Sequence, residues 1–485
     1  MKLRELLADM AVTTITGNAQ AEQEIKGLTK DSREVREGMI FFATDSSKPF
    51  LQDALGRKAS VIVSDEPLPG DIPCLVVARD VRLLLAKAAA RFYGFPSRQI
   101  SITGITGTNG KTTVSYLLES IIRASGRKAG VIGTISSRYN GRALKKANTT
   151  PESVDIQSFF KEMLDQGVVH AVMEVSSHAL DQGRVEGVDF DCAVFTNLTH
   201  DHLDYHGDLE HYRQAKALLF HRYLQESVKE QKRAIINIDD PSAAFLIPAP
   251  PVATLTYSTR IAADASLISF DESIHGLTLC ISLKGKQVAL STPLVGLFNI
   301  SNILAAALCG YGEGIGREAI IKGIEALPGV PGRLERVVND RGFHVFVDYA
   351  HTPDALEKTM ETLNRLRSGR LIVVFGCGGN RDRTKRPVMG RVASQLADFT
   401  IVTSDNPRDE EPRSIIEEIK TGITGNAFKT IENRRTAITE ALAMAREKDV
   451  VLVAGKGHED YQIIGKVIYP FSDRTVIEES LRVVR

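Results

Sequence analysis

Four apolar runs in the last third of the chain constrain its fold more than any other feature: FHVFVDY, LIVVFG, FTIVTS and VVLVAG. They read as buried parallel strands, with helical segments between several of them. Alternation of β and α predicts a doubly wound sheet. Each run breaks off into a polar cluster: Asp348-Tyr349-Ala350-His351, then GCGGNRDRTKRP, SDNPRDEEP and GKGHEDYQ. Ligands of open α/β sheets bind outside the carboxyl ends of the strands, so these clusters are expected to converge on one crevice. The middle third repeats the pattern in AVMEVSSHAL, CAVFTNLTHDHLD and AIINIDD, which puts Glu174, Asn197 and His202 near strand ends.

The stretch SITGITGTNGKTTVSYLLESI, residues 101–121, leads from a short β-like run through three glycines into apolar residues at helical spacing. Gly104, Gly107 and Gly110 let backbone N–H groups turn inward; a helix N-terminus adds partial positive charge, and Lys111 adds a full one. Such a loop suits a polyphosphate. The common phosphate-loop pattern places a glycine where Ile105 stands, and the alternative is a glycine-rich turn used for packing alone. Gly-Lys-Thr-Thr between strand and helix favours phosphate.

A chain of 485 residues predicts about three domains. Two breaks, FYGFPSRQ at 92–99 and ALPGVPGRLERV at 326–337, divide it into 1–98, 99–332 and 333–485. Sixty basic and 60 acidic residues cancel, so no overall field favours nucleic acid or an anionic membrane. The five cysteines, Cys74, Cys192, Cys280, Cys309 and Cys377, have neither metal-ligand spacing nor disulfide-scaffold density. The N-terminal MKLRELLADM has no signal-like apolar core, and no run reaches membrane-spanning length. A cytoplasmic protein without membrane insertion is expected.

Taken together, TGTNGKTT, MEVSSHAL, FDCAVFTNLTHDHLDYHGDLEHYRQAKALLF, FNISNILAA, PGRLERV, DYAHTPD, GCGGNRDRTKRP, SDNPRDEEP and GKGHEDYQ resemble the Mur ligases, amide ligases of peptidoglycan precursor synthesis, across essentially the whole chain. The resemblance implies an α/β fold of three domains: an N-terminal uridine-binding domain, a central P-loop ATPase-like domain and a C-terminal Rossmann-like domain. It further implies an ADP-forming reaction in which the γ-phosphate of ATP energises a carboxylate for attack by an amine. The substrates would be UDP-N-acetylmuramoyl-L-Ala-D-Glu, meso-diaminopimelate and ATP, with Mg²⁺; the family implies a monomer.

By that resemblance the nucleotide is held by Gly107, Thr108, Asn109, Gly110, Lys111, Thr112 and Thr113, with Asn299, Asn302, Arg333, Asp348 and His351 on its nucleoside side. Thr112, Glu174 and His202 would serve magnesium through hard ligands, together with Lys216 as its carbamate. A carbamate requires a site that favours the neutral amine, since a lysine of pKa about 10.4 is otherwise protonated. Thr29, Lys30 and Ser32 would serve the uridine end, and Asn148, Thr149, Thr150, Ser176, Gln182 and Arg184 the muramyl peptide. Read alone, Thr149-Thr150-Pro151 is equally a helix cap, Asp348 a turn residue and Lys216 an ordinary helix lysine.

Arg381, Asp405, Asn406, Pro407, Arg408, Gly455 and Glu459 match the family's diaminopimelate contacts. Arg408 can grip a carboxylate bidentately and would repel the terminal ammonium of lysine, while Glu459 can receive the distal ammonium. Two departures stand out. TDSSKPF follows Ala43 where a glycine- and histidine-containing segment is usual, and Asn380 stands where relatives often carry aspartate. Rival readings are the D-alanyl-D-alanine adder, a folylpolyglutamate synthase and a nucleotide-driven switch; DNPR together with GKGHED argues against the first two, and the absence of an NKxD-type stretch against the last.

Overall fold

The computed structural model describes residues 1–17, 22–70, 72–144, 148–199 and 201–483. The chain forms two compact units. The first comprises Met1–Ser266, Ser282–Lys286 and Ser301–Gly323; the second comprises Leu267–Ile281, Gln287–Ile300 and Ile324–Arg485. Among the described residues no helix is long and apolar enough to cross a membrane.

The first unit contains a five-stranded sheet in the order Thr14–Gly17, Cys74–Val77, Val61–Ser64, Met39–Phe42, Gly27–Thr29, parallel except for its first strand. Side chains alternate between its faces, as the two-residue period of a strand requires. Ile40, Phe42, Val61 and Val63 pack with Leu84, Leu85, Ala88 and Ala89 of the helix Val81–Phe92. Phe41 and Ile62 point the other way, onto Ala54. Asp80 starts that helix by accepting from the Leu83 amide at 2.9 Å.

The second sheet of this unit is built around Ser101–Thr106, which lies between parallel His170–Glu174 and Cys192–Phe195. Ala129–Ile132 flanks it on one side; Arg233–Asn237 and Ala253–Ser258 flank it on the other. After Ser101–Thr106 the chain builds outward on one side before crossing to the other, so the carboxyl end of this strand is a topological switch point. The helix Lys111–Ala124 buries Val114, Leu117, Leu118, Ile121 and Ile122 on the sheet, each contributing about 1.5–3 kcal/mol.

The second unit carries a six-stranded sheet in the order Glu335–Val337, His344–Asp348, Val450–Ala454, Leu371–Phe375, Phe399–Val402, Phe428–Thr430, with only the first strand antiparallel. The helices Pro353–Leu366, Lys385–Leu396 and Pro412–Lys420 cover one face through Leu356, Met389 and Ile416. Arg434–Met444 and Asp473–Val483 cover the other through Ile438 and Ile477. The sheet is doubly wound, as its four apolar runs predict. The run VVLVAG, last in the chain, inserts between the first two.

Candidate active site

At the switch point of the first unit the loop 107–110 joins strand to helix. Gly107 and Gly110 have φ of 147° and 87°. A Cβ at Gly107 would lie 1.9 Å from Thr196 Oγ1, and one at Gly110 would lie 2.4 Å from Asn302 Oδ1. Only glycine satisfies both the dihedral and the space. The loop is fastened from the next strand end: Asn197 Oδ1 accepts from the Asn109 amide at 2.9 Å, Thr196 Oγ1 donates to Asn109 O at 2.6 Å, and Thr108 N donates to Asn197 O at 2.8 Å. No side chain caps the helix Lys111–Ala124, so its N-terminal dipole faces the loop.

Two lysines meet at this loop. Lys111 Nζ donates to Gly107 O and Thr108 O at 2.8 Å each, and Lys216 Nζ donates to the same Gly107 O at 2.9 Å. Lys216 is 1% exposed and lies over the Tyr212 ring at 4.3 Å. Burial, reinforced by the charge of Lys111, pushes its ammonium pKa well below the ordinary lysine value. The site therefore favours the neutral amine, and Lys216 is not an exposed helix lysine.

Glu174, at the end of its strand, is 1% exposed and tied on both oxygens. Thr112 Oγ1 donates to Oε2 at 2.9 Å, Thr134 Oγ1 to Oε2 at 2.8 Å and Thr134 N to Oε1 at 3.0 Å. The Thr112 hydroxyl and the Glu174 carboxylate are hard oxygen donors and fit a magnesium ion. His202 has φ 53° and stands edge-on to His178 with ring centroids 4.9 Å apart. Burial lowers its pKa, and Asp201 partly offsets that. Among the described residues no three His, Cys, Asp or Glu side chains converge as a transition-metal site would need; His200 lies outside those residues.

The proposed muramyl-peptide residues form one linked group. Thr150 Oγ1 donates to Glu174 O at 2.9 Å and accepts from Ser176 N at 3.0 Å. Thr149 Oγ1 lies 3.1 Å from Thr134 Oγ1, whose own proton goes to Glu174. Arg184 donates through Nε to Gln182 Oε1 at 3.0 Å and through Nη1 to Thr150 O at 3.1 Å. The helix reading of Thr149-Thr150-Pro151 fails: the following helix, Ser153–Asp165, has Glu152 at its N-cap position and no side-chain cap. Asn148 is exposed.

Lys30 pairs with Glu152 at 2.9 Å, which brings the N-terminal sheet to this same group. Ser32 is buried, and Thr29 Oγ1 accepts from the Asp31 amide at 3.0 Å. The unusual TDSS segment closes on itself: Thr44 N donates to Ser47 Oγ at 2.8 Å, and Ser47 Oγ donates to Phe42 O at 2.9 Å. Beside it, at the carboxyl ends of the strands, lies a cleft of about 610 Å³ lined by Thr44, Asp45, Asp65, Arg79 and Arg82.

In the second unit Asp348 accepts from Leu334 N at 2.5 Å and Ala350 N at 2.9 Å. Burial raises its pKa, opposed by these amides and by Arg333. The Arg333 guanidinium lies 5.1 Å from the Tyr349 ring centroid, and its buried Nε has no hydrogen-bond partner among the described residues. Tyr349 stands between His351 at 4.6 Å and His458 at 5.0 Å. Asn299 donates to Val295 O at 2.8 Å in this unit, whereas Asn302 belongs to the first.

The DNPR segment and the GKGHEDYQ segment interlock. Arg408, at φ 52°, donates from its backbone to Ile463 O at 3.1 Å and from Nη1 to Gly379 O at 2.8 Å. Asn406 Nδ2 donates to Glu459 Oε2 at 2.8 Å. Gly455, at φ 114°, admits Asp405: a Cβ there would lie 2.8 Å from Asp405 Oδ2. Pro407 O accepts from Glu410 N at 3.1 Å, so Asn-Pro-Arg is a turn as well as a site segment. Arg381 is exposed, with Nη1 3.2 Å from Asn380 O.

Asn380 now has a reason. Its φ is 52°, a conformation asparagine tolerates, and its amide pairs reciprocally with Asp409: Nδ2 donates to Oδ2 at 3.1 Å and Oδ1 accepts from Asp409 N at 3.3 Å. Aspartate would set two carboxylates against each other. Residues that sequence reasoning missed are Thr134, Tyr212, Arg386 and Lys456. Thr134 follows an apolar run, and the strand-end rule that found Glu174 would have found it too.

A glycine loop at a switch point, an oxygen-rich carboxylate beside it and a charged cluster on a doubly wound sheet define a nucleotide-using ligase. Residues 105–310 match the Mur ligase middle domain and residues 332–457 the Mur ligase, glutamate ligase domain. The chain belongs to the Mur ligase family, ATP-dependent formers of amide bonds. Among its relatives, the UDP-N-acetylmuramoyl-L-alanyl-D-glutamate--2,6-diaminopimelate ligase of Geobacter metallireducens is 44% identical over 485 residues, covering 95% of this chain and 94% of that one. A solved structure of a ligase with the same name is 34% identical and superposes with a TM-score of 0.71 over 99% of both chains. The MurF ligase of Thermotoga maritima in complex with ADP, 17% identical, shares the fold with a TM-score of 0.64 over 95% of this chain and 98% of its own.

Proposed function

We propose that the chain joins meso-2,6-diaminopimelate to the D-glutamate γ-carboxylate of UDP-N-acetylmuramoyl-L-alanyl-D-glutamate, at the expense of ATP, in the cytoplasm. One observation carries the choice of amino acid. DNPR interlocks with the 455–463 segment through the Arg408 backbone amide on Ile463 O and Asn406 Nδ2 on Glu459, so that Arg408, whose Nη1 rests on Gly379 O, and Glu459 are offered from adjoining segments. A terminus bearing both carboxylate and ammonium needs that pair. The names of the relatives agree with it.

The chemistry follows from charge. A carboxylate resists an amine because it is anionic and offers a poor leaving group; transfer of the γ-phosphate to it removes both obstacles, and the amine then displaces phosphate. On this reading the 107–113 loop amides and Lys111 hold the phosphates, while Arg333, Asn299, Asn302, Asp348 and His351 serve the nucleoside side. Thr112, Glu174, His202 and Lys216 as its carbamate would hold magnesium, which supplies neutralisation of the transferring charge. Burial of Lys216 supports carbamate formation, because its neutral amine can attack carbon dioxide and release one proton. Gln182, Arg184 and the threonines of 149–150 receive the anionic muramyl peptide, with Lys30 and Ser32 toward its uridine.

On this reading segment 1–98 serves the uridine, 99–332 the phosphates and the muramyl peptide, and 333–485 the nucleoside and the amino acid; the support is that each carries its own sheet. The decisive test offers meso-diaminopimelate and L-lysine in competition to the enzyme with ATP, magnesium and the UDP-muramyl dipeptide, and weighs the product. A diaminopimelate adduct, with ADP released only when both acceptor and amino acid are present, is expected. A lysine adduct, or ADP release indifferent to both, overturns the reading.

A further inference from the structure

Lys456 is the one residue of the GKGHE segment whose charge the proposed reaction leaves unused, and it is wholly buried. It follows Gly455 directly after the strand Val450–Ala454, whose last carbonyl accepts from the buried Arg434 Nη2 at 3.0 Å. Lys456 Nζ donates to Asn406 Oδ1 at 3.0 Å and to Glu459 Oε2 at 2.9 Å, and stands 5.5 Å from the Tyr461 ring centroid. Asn406, 2% exposed, closes the ring by donating from Nδ2 to the same Glu459 oxygen at 2.8 Å.

This arrangement is determinate. Asn406 Oδ1 faces two groups that can only donate, Lys456 Nζ and the Ile463 amide at 3.0 Å, so its Nδ2 must face the carboxylate. Glu459 Oε2 receives two donors and Oε1 none among the described residues, which leaves Oε1 to accept from a ligand. A buried ion pair is a poor source of stability, because desolvation consumes most of its Coulomb gain and an apolar side chain of equal volume would stabilise as well. A different consequence explains its presence.

Resting on the diaminopimelate reading, we propose that Lys456 positions Glu459 and sets amino-acid specificity by cancelling part of the carboxylate's charge. A lone ammonium arriving at Glu459 meets a carboxylate already paired and gains little. A terminus carrying ammonium and carboxylate together gains also from Arg408, and so is selected. Lysine is rejected twice, once by Arg408 and once by Lys456.

The test compares the wild type with Lys456→Met, measuring kcat and KM for meso-diaminopimelate, L-lysine and ATP, with a thermal melt to establish folding. The expected result is a rise of tenfold or more in KM for meso-diaminopimelate, kcat and KM for ATP within about threefold, and at least a tenfold fall in the preference for meso-diaminopimelate over L-lysine. An unchanged preference ratio overturns the proposal, since a merely structural role weakens both amino acids alike. Lys456→Gln, which keeps a donor and removes the charge, is read by the same ratio if the methionine variant does not fold. In a Glu459→Gln background, Lys456→Met should leave the ratio where it is; a further fall there also overturns the proposal. A wild type that makes no diaminopimelate adduct overturns the underlying reading instead, and does so before any variant is compared.

Discussion

Arg386 grips Glu410 with both arms: Nη1 donates to Oε2 and Nη2 to Oε1, each at 2.9 Å, with no part of the arginine side chain reaching solvent. The same guanidinium reaches Glu418 at 2.8 Å and Gly378 O at 3.2 Å, and Glu410 Oε1 also accepts from Asn380 N at 2.5 Å. One buried cation thus fixes two site loops, 378–381 and 405–410, relative to each other.

Removing that cation should destabilise the second unit through both charge and pH. Its hydrogen bonds hold the Glu410 carboxyl down to about 2, from an ordinary 4.5. A depressed carboxylate contributes stability that is present above its unfolded pKa and is lost as pH falls from about 4.5 toward 2. Arg386→Met should cost about 1.5–3 kcal/mol near neutrality, the worth of a charge-assisted hydrogen bond, because the partners it leaves, Glu410 and Glu418, are partly exposed and regain water. It should also shrink the loss of stability between pH 4.5 and pH 2.5. Urea midpoints across that range check it; equal acid sensitivity of both proteins refutes it.

Thr134 holds Glu174 on both oxygens, sharing Oε2 with Thr112, and supplies two of the three bonds described for the carboxylate. Thr134→Val keeps the volume and the backbone amide but removes the hydroxyl. If Glu174 serves magnesium, loss of an orienting partner should raise the magnesium concentration for half-maximal activity by about 10–100-fold. The check is a magnesium titration at saturating substrates, with the melting temperature held as a control. A lowered plateau without a shifted midpoint would place Thr134 outside the metal's support.

Asn380→Asp tests the pairing with Asp409. Two carboxylates at hydrogen-bond distance repel, and the loop should yield, raising KM for the amino acid about three- to tenfold. The double variant Asn380→Asp with Asp409→Asn restores one donor and one acceptor in swapped order and should recover most of that loss. Additive losses in this cycle would show that the two residues act independently.

What could be read from the residues, and what could not, divides by distance along the chain. The strands 344–348, 371–375, 399–402 and 450–454 were legible because an unbroken apolar run is a local signal. Their order was not, since nothing local to VVLVAG says it pairs with both His344–Asp348 and Leu371–Phe375. The glycine loop announced itself, but its clasp by Thr196 and Tyr212 joins residues 87 and 104 positions apart. Arg386 and Lys456 lie inside GCGGNRDRTKRP and GKGHEDYQ, where nothing local sets a basic residue among polar ones apart. Only burial reveals that each is the donor at the centre of a network.

On the proposed reading Arg408 bears the selectivity, and its geometry says how it should fail. A residue at φ 52° is held in the left-handed region by its neighbours, here by Arg408 N on Ile463 O at 3.1 Å and Gly465 N on Arg408 O at 2.7 Å. The backbone anchor does not depend on the side chain, so Arg408→Ala should keep the turn and lose the guanidinium. KM for meso-diaminopimelate should rise by about one to two orders of magnitude, as for loss of a charge-assisted bond worth about 1.5–3 kcal/mol. ATP affinity should stay within about twofold, because Arg333 and the 107–113 loop are untouched. Arg408→Lys should recover only a part, since an ammonium cannot match both carboxylate oxygens in one plane. Separate titrations of nucleotide and amino acid decide it: comparable losses in both would mean that Arg408 supports the fold of the second unit rather than a substrate carboxylate.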